Sequence, residues 1–486
     1  MKICATIIGS ARIDARDELL PDAELIRHAY EKWGDDCVKH LLGDFAFAIW
    51  DDRRQRLFCA RDHFGVKPFF YTHVGDSFNF SSTLNELRRD RRVSNTLNEI
   101  AIGDYLLFGV NQDQSTTIFK DIHRLPPGHT LTFENNQIKI QRYWTPSLPA
   151  EICFRNPTDY VERFSELLLS AIKDRLRTDR VAISMSGGLD STSLAAIASK
   201  HAEVAGFTVV YDSLIPDEER RYSSLAAAHI GIPITHLNAD AYSLFDGEMD
   251  QPEPFLISPL TGQFNDLLRL CAAFSPVALT GYDGDTFMNE PRLRLRTRIG
   301  RMLRKNDYHG FFPEWIDKAF ALRTNLRERC REFWNAKPAG KRPAAMSALD
   351  SKIWTALFEG YDPGATRLNL EVRHPFLDLR LIEYLLAIPT EPWCVNKHIL
   401  RCAMQNKLPD AVLDRSKTGL GGDPALQLVR RASVRWLDSF EVSPQLRAFV
   451  NLDRRRPLVE EKTPDALWAS LRVFALNYWL TKLPTP

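Results

Sequence analysis

Several absences narrow this chain before any motif is read. Its 486 residues contain no run of roughly 18 apolar residues, so no transmembrane helix is expected. The eight cysteines (Cys4, Cys37, Cys59, Cys153, Cys271, Cys330, Cys394 and Cys402) include no Cys-x-x-Cys pair. Zinc and dithiol motifs are thereby excluded, and reduced, mostly buried thiols in a cytoplasmic protein are expected. Charge of one sign is also missing. Lys and Arg number 63 against 62 Asp and Glu, a net charge of +1, which gives no global argument for nucleic acid or membrane binding. No internal repeat or low-complexity tract occurs. The apolar stretch at Met1–Gly9 is too short for a signal peptide, lacks its small-residue cleavage site and reads as a strand. The phosphate motif Gly-x-x-x-x-Gly-Lys-Ser/Thr is absent as well. What remains is the composition of a soluble globular enzyme, 44% hydrophobic and 26% charged, long enough for two or three domains.

The most informative stretch is Ser186-Gly187-Gly188-Leu189-Asp190-Ser191. An apolar run, Arg180–Met185, precedes it, and a helical pattern, Thr192–Lys200, follows. A strand, a tight turn and a helix N-terminus set end to end aim backbone N–H groups and the positive end of a helix dipole at one spot. Two glycines permit close approach of an anion. Ser186, Ser191 and Thr192 add hydroxyl donors, and Asp190 offers a hard oxygen to Mg²⁺. The alternative is an ordinary Ser/Gly turn capping a helix.

Up to about residue 145 the pattern is β-rich. It has a helix at Asp22–Trp33 and paired strands, Phe45–Trp50 and Arg56–Arg61, about a turn at 51–54. Ser147–Pro157 carries no strong period and reads as a linker. A long amphipathic helix, Thr158–Thr178, then leads into the phosphate-loop strand. Strands at Ala205–Tyr211 and Pro276–Leu279 flank a helix at Glu218–Ile230, which predicts a parallel α/β sheet. After residue 310 the pattern is almost entirely helical. The segment Pro392–Met404, Trp-anchored and amphipathic, reads as core.

Nearly the whole chain resembles asparagine synthetase and its amide-forming relatives. In the first part the resemblance rests on Arg12–Asp17, Asp22–Leu25, Leu42–Trp50, Ala60-Arg-Asp-His-Phe-Gly-Val-Lys-Pro68 and Pro127-Gly128. In the second part it rests on Ser186–Ser191, which is similar to the pyrophosphate loop of ATP pyrophosphatases. Leu279–Asp285, Glu371-Val-Arg-His-Pro-Phe-Leu-Asp378 and Arg415-Ser-Lys-Thr-Gly419 complete it. The resemblance implies an α/β chain with two domains. Residues 1–146 would form a degenerate, truncated Ntn-type glutamine amidotransferase-like domain, β-rich. Residues 158–486 would form an ATP-pyrophosphatase synthetase domain with a parallel sheet and a helical C-terminal part. It implies ATP and Mg²⁺ as cofactors. The nucleotide would be held by Ser186, Gly187, Gly188, Asp190, Ser191, Thr192 and Gly281, and the metal by Asp190 and Asp285. Glu371 would help remove the amine proton with a raised pKa, the alternative being an ion pair with Arg373. Lys417, beside Arg415, would stabilise the intermediate and pyrophosphate.

The departures from the family pattern shape the functional expectation. Glutamine-using members carry a cysteine directly after Met1; here Lys2 stands there, with Cys4 beyond it. The strands expected before Arg12 are read as missing. Asp22 matches the family's substrate-amine carboxylate, but the rest of that pocket is gone, so no glutaminase activity is expected. The second loop, usually Gly-Asp/Glu-Gly-x-Asp-Glu, reads Gly281-Tyr282-Asp283-Gly284-Asp285-Thr286. β-Lactam-forming relatives pair a tyrosine with the glutamate, and Tyr361 is only a weak counterpart. The closest functional fit is to lasso-peptide macrolactam cyclases. These adenylate an Asp or Glu side chain of a ribosomal precursor peptide and couple it to that peptide's N-terminal amine, releasing AMP and pyrophosphate. The expected partners are the precursor (core) peptide, a leader-binding protein and a leader peptidase, with no nucleic acid and no membrane. The basic cluster from Arg292 to Lys305 and the helical region after residue 310 are expected to shape the peptide cavity. Alternatives are a small-molecule amide ligase, asparagine- or β-lactam-forming, and an inactive nucleotide-binding scaffold.

Overall fold

A computed structural model describes residues 21–247, 250–290, 312–336, 341–416, 421–461 and 463–483, and the backbone of 3–13. The first part builds on strands β1 (Ile3–Ile13), β2 (Leu41–Asp51) and β3 (Arg56–Arg61), with β4 (Phe70–Val74), β5 (Ser77–Ser81) and β6 (His123–Arg124). The hairpin of β7 (His129–Glu134) and β8 (Gln137–Arg142) follows. One antiparallel sheet has the order β1-β2-β3-β7-β8, and a smaller one has β5-β4-β6. The paired strands expected about residues 51–54 are present, in register Ala46↔Arg61 to Asp51↔Arg56. The stretch at Met1–Gly9 read as a strand is one: β1 runs Ile3–Ile13 and pairs with β2 along its whole length, which corrects the expectation that the family's strands before Arg12 are missing.

Residues 145–156 have no regular structure before the helix Pro157–Leu176. That helix forms because Tyr160, Phe164, Leu168 and Ile172 recur at helical spacing and are buried. Pro157 opens it, and Lys173 and Arg175 sit in its last turn, where cations suit the dipole. Strands β9 (Arg180–Ser184), β10 (Glu203–Val210), β11 (Ile234–Asn238), β12 (Val277–Thr280) and β13 (Glu371–Arg373) form one parallel sheet of order β11-β10-β9-β12-β13. β13 is a strand inside a region read from sequence as helical. Three residues are too few to show a period, and their strand state comes from pairing with β12. The Pro157–Leu176 and Leu189–Ala198 helices cover one face of the sheet through Phe164, Leu168, Val181, Ile183 and Leu194. The Thr261–Phe274 helix covers the other, packing Leu268 and Cys271 on Ala182 and Ala278.

The two parts of the chain share buried surface. The Glu99–Phe108 helix of the first part packs with the last helix, Pro464–Lys482, in one cluster containing Leu106, Phe119, Phe320, Leu476 and Trp479. A buried ionic network crosses the same seam. Arg124 donates to Glu359 at 2.8 and 3.0 Å and to Glu253, and the three side chains are 2%, 4% and 1% exposed. Glu253 also accepts the Ile118 amide at 2.6 Å. Nearby, Arg175 bridges Asp44 of β2 (2.9 Å) and Asp378 (3.0 Å).

Removing one member of such a network leaves uncompensated charge in low dielectric. Arg124→Ala is therefore expected to cost about 3–5 kcal/mol in urea unfolding. Replacing Arg124, Glu253 and Glu359 together by Met or Leu is expected to cost less than the single change.

Candidate active site

The phosphate-type loop leaves the carboxyl end of β9. The Ser186 amide donates to Ser191 Oγ (2.9 Å) and the Gly188 amide to Ser186 Oγ (3.1 Å). Gly188 precedes the Leu189–Ala198 helix without a side-chain cap, so the cap does not compete for the first-turn amides, the end of a helix that suits an anion. The loop faces a cavity of 560 Å³ lined by Ser186, Gly188, Asp190, Asp285, Lys397 and Arg415 among others. Of the three hydroxyls expected to meet phosphate, only that of Ser186 belongs to this lining. Ser191 and Thr192 are 4% and 0% exposed, and Thr192 Oγ1 donates to the Gly188 carbonyl at 2.9 Å. They shape the turn from behind. The Gly187 amide donates to the carboxylate of Glu219, which also accepts from Arg415 at 2.8 Å. The Arg415 guanidinium lies 4.4 Å from the Tyr222 ring centre.

The second loop leaves β12 one strand away. Two of its glycines are required by contact: a Cβ at Gly281 would lie 2.6 Å from the Ser191 nitrogen, and one at Gly284 2.5 Å from the Asp190 carboxylate. Gly281 is thus a spacer that brings the loops together rather than part of the cavity wall. Asp283, where the family pattern has glycine, takes a left-handed backbone (φ 65°). Burial, together with the charges of Asp285 and Asp190, pushes its carboxyl up to about 6, against a hydrogen bond from Thr286.

Lys397 meets both loops. Its ammonium pairs with Asp190 and lies 2.8 Å from Asp285. Two hard carboxylates within reach of one cation fit a hard divalent ion whose other ligands are water and phosphate. Among the described residues no group of three or more His, Cys, Asp and Glu forms a self-sufficient metal cage. Lys397 comes from the segment read as core. Its neighbours Trp393, Ile399 and Leu400 are indeed buried, and the polar residue they hold was the signal missed.

Glu371 stands at the start of β13, opposite Val277, whereas the nucleotide loops leave the other ends of the strands. That offset is three residues along β12, roughly 10 Å. The expected raised pKa is corrected. Burial alone would raise it, but Lys67 Nζ at 2.7 Å and Arg373 Nη2 at 2.5 Å bring it down to about 2. The ion pair with Arg373, offered as the alternative, is present. Lys417 and the Arg292–Lys305 cluster lie outside the described residues.

A second cavity, of 640 Å³, opens beside the second loop, with Tyr282, Val209, Tyr211, Phe264, Ile353 and Leu357 in its wall. Its tyrosine from the loop is Tyr282. Tyr361 is instead packed against Phe264 and His374, at 5.2 and 5.6 Å between ring centres. Asp22 accepts from Arg177 at 2.7 Å.

Two family models match the chain. One described as a glutamine amidotransferase domain covers residues 18–144, and one described as asparagine synthase covers residues 163–481. Asparagine synthetase [glutamine-hydrolyzing] 3 of Bacillus subtilis is 29% identical over 456 residues, covering 82% of this chain and 70% of its own. Asparagine synthetase [glutamine-hydrolyzing] 2 of the same organism is 27% identical over 447 residues, covering 82% of this chain but 58% of its own. Amidase chyE of Penicillium rubens is 29% identical over 255 residues, covering 46% of this chain and 35% of its own.

The lowered pKa of Glu371 makes a pH prediction. A carboxyl held at about 2 when folded, and near 4.3 when unfolded, contributes stability that is fully present above the unfolded value. That stability is lost as pH falls toward 2. Thermal unfolding of native protein and Glu371→Gln is expected to differ most at neutral pH, with the two curves converging below about pH 4.

Proposed function

The chain belongs to the asparagine synthase family, and from that premise we propose that it is a macrolactam synthetase acting on a ribosomal peptide. The family supports an ATP-dependent, AMP-forming amide ligase. Such a ligase joins a carboxylate to an amine by first making the carboxylate an acyl adenylate. The finer reading is that the carboxylate is an Asp or Glu side chain and the amine is the N-terminus of the same peptide. The product is a lasso-type ring, made in the cytoplasm. A leader-binding protein and a leader peptidase supply the processed peptide.

The observation that carries the ligase reading is the meeting of two glycine-spaced loops at Asp190, Asp285 and Lys397. The uncapped helix start and the Ser186 and Gly188 edge of the cavity bind the phosphate chain. Lys397, Arg401 and Arg415 supply cationic charge toward pyrophosphate. Asp190 and Asp285 would hold Mg²⁺, which when bound neutralises charge on the phosphates. Lys417, two residues after Arg415 in the sequence, shares its role in this reading. Glu371 stays ionised at any working pH. A carboxylate of such low basicity is a poor proton acceptor, so its part is to hold the amine by charge and hydrogen bonding.

One feature supports a peptide over free aspartate, and a second supports an amine source other than glutamine. The cavity beside Tyr282 has a mainly apolar wall and is large for a small polar acid. Asp22, the residue matching the family's amine-binding carboxylate, is engaged by Arg177. An intramolecular amine needs no ammonia, so the first domain is free to act as a buttress.

Co-expression with a short precursor peptide found encoded beside this gene, together with its processing partners, tests the reading by mass spectrometry, and the lack of any such gene counts against it. Native protein is expected to remove one water from the core peptide and make it resistant to carboxypeptidase; Asp190→Ala is expected to leave it linear. An unmodified peptide in both arms, with AMP and pyrophosphate formed from a small acid instead, would move the assignment to a small-molecule amide ligase. Neither product in any arm, with ATP bound, would leave the scaffold.

A further inference from the structure

The Ala60–Pro68 motif of the first part has no role in the chemistry above, yet its lysine reaches the second part's key carboxylate. We propose that Lys67 is a positioning residue for the ligation step: it holds the Glu371 carboxylate in place from the amidotransferase-like domain. That domain therefore serves amide formation through one side chain, whether or not it handles glutamine. This inference rests on the ligase reading.

The two oxygens of Glu371 are divided between the two parts of the chain. Oε1 accepts from Lys67 Nζ at 2.7 Å and Oε2 from Arg373 Nη2 at 2.5 Å. Arg373 is itself fixed, because its Nη1 donates to the Arg175 carbonyl at 2.6 Å. Arg373 is a β13 neighbour and orients one edge of the carboxylate. Among the described residues Lys67 alone fixes the other, and its side chain is 8% exposed.

The turn that presents Lys67 is built to hold it still. The Asp62 carboxylate accepts the amides of Phe64 (3.1 Å), Val66 (3.0 Å) and Lys67 itself (3.0 Å). The fully buried Arg61 donates to the carbonyls of Lys67 (2.7 Å), Gly65 (2.8 Å) and Leu125 (3.0 Å). Gly65 has φ +70°, and a Cβ there would lie 2.7 Å from Pro127 Cγ. Two buried charged side chains and a sterically required glycine thus fix one lysine backbone. That outlay exceeds what a surface ion pair warrants, since exposed pairs contribute little.

The charged groups facing this carboxylate are Lys67 from the turn, Arg373 from β13 and the partly opposing Asp362, which follows the Ile353–Tyr361 helix and is influenced by both Lys67 and Glu371. Removing Lys67 leaves Arg373 against Asp362, so the Glu371 carboxyl becomes both mobile and easier to protonate.

The test measures pyrophosphate exchange into ATP and peptide dehydration with the full chain, using the adjacent-gene precursor peptide as probe. Lys67→Met is expected to lower the dehydration rate at least thirtyfold while ATP affinity stays within twofold. It is also expected to move the acid limb of the pH–rate profile up by about one unit or more. Lys67→Arg is expected to recover most of the rate and the native acid limb. In Glu371→Gln, the further change Lys67→Met is expected to have less than a threefold effect, because the partner it acts through is gone. A native rate and pH profile in Lys67→Met, or an undiminished effect in the Glu371→Gln background, would overturn the assignment. If Lys67→Met is too unstable to assay, Lys67→Arg with an unshifted acid limb and Lys67→Gln with a shifted one decide in its favour, and identical limbs decide against it. Dehydration by native protein that is indifferent to Lys67 overturns this inference alone. No reaction by native protein with any acid overturns the ligase reading and this inference with it.

Discussion

The arrangement depends on charge buried where the two parts of the chain meet. Arg124 enters from β6 and is neutralised by Glu253 and Glu359, both from the second part. Burying three charges costs several kcal/mol per ion before pairing, so the network forms only when both parts are folded and in register. It therefore specifies the docking geometry more than it stabilises it. Arg175 repeats the device at the end of the Pro157–Leu176 helix, tying β2 through Asp44 to the turn after β13 through Asp378. Between these two anchors, Lys67 and Glu371 meet.

Apolar packing follows the same seam. Leu106 and Phe119 from the first part share a cluster with Phe320, Leu476 and Trp479 from the second. A surface with buried arginines and aromatic side chains on both sides is a permanent interface, not a hinge between independent domains. This explains how a domain can be kept for geometry: its removal would expose both the cluster and unpaired carboxylates.

Much of this was legible in the sequence. The phosphate-type loop, the paired strands about residues 51–54, the Asp22–Trp33 helix and the strand–helix alternation that becomes the parallel sheet all declare themselves in local patterns that tertiary contacts reinforce. What was not legible depends on partners far apart in sequence. The pKa of Glu371 was misjudged because burial was foreseen and Lys67, 304 residues away, was not. Lys397 was hidden because its segment is amphipathic and mostly buried, and a lone lysine in such a run carries no period of its own. The hydroxyls of Ser191 and Thr192 were given to the ligand because sequence shows which groups can donate, not which have already been taken by the turn.

The site also keeps its charges provisionally matched. Lys397 lies between Asp190 and Asp285, and Arg415 pairs with Glu219, whose carboxylate occupies the Gly187 amide. Each of these pairs joins a group suited to phosphate with a group suited to a cation or to an amide donor. Asp190 and Asp285 would hold a divalent cation, Lys397 and Arg415 would then face phosphate, and Glu219 would release the Gly187 amide. Because the groups are already paired, little desolvation remains to be met when that exchange occurs, which is the advantage of a preorganised polar site over one that must be assembled around its ligand. Glu371 differs in being held between two protein cations at the seam, away from the loops. The phosphate end of the site is thus made of exchangeable ion pairs and the Glu371 end of fixed ones, and one of the two fixing cations, Lys67, is what the first domain supplies.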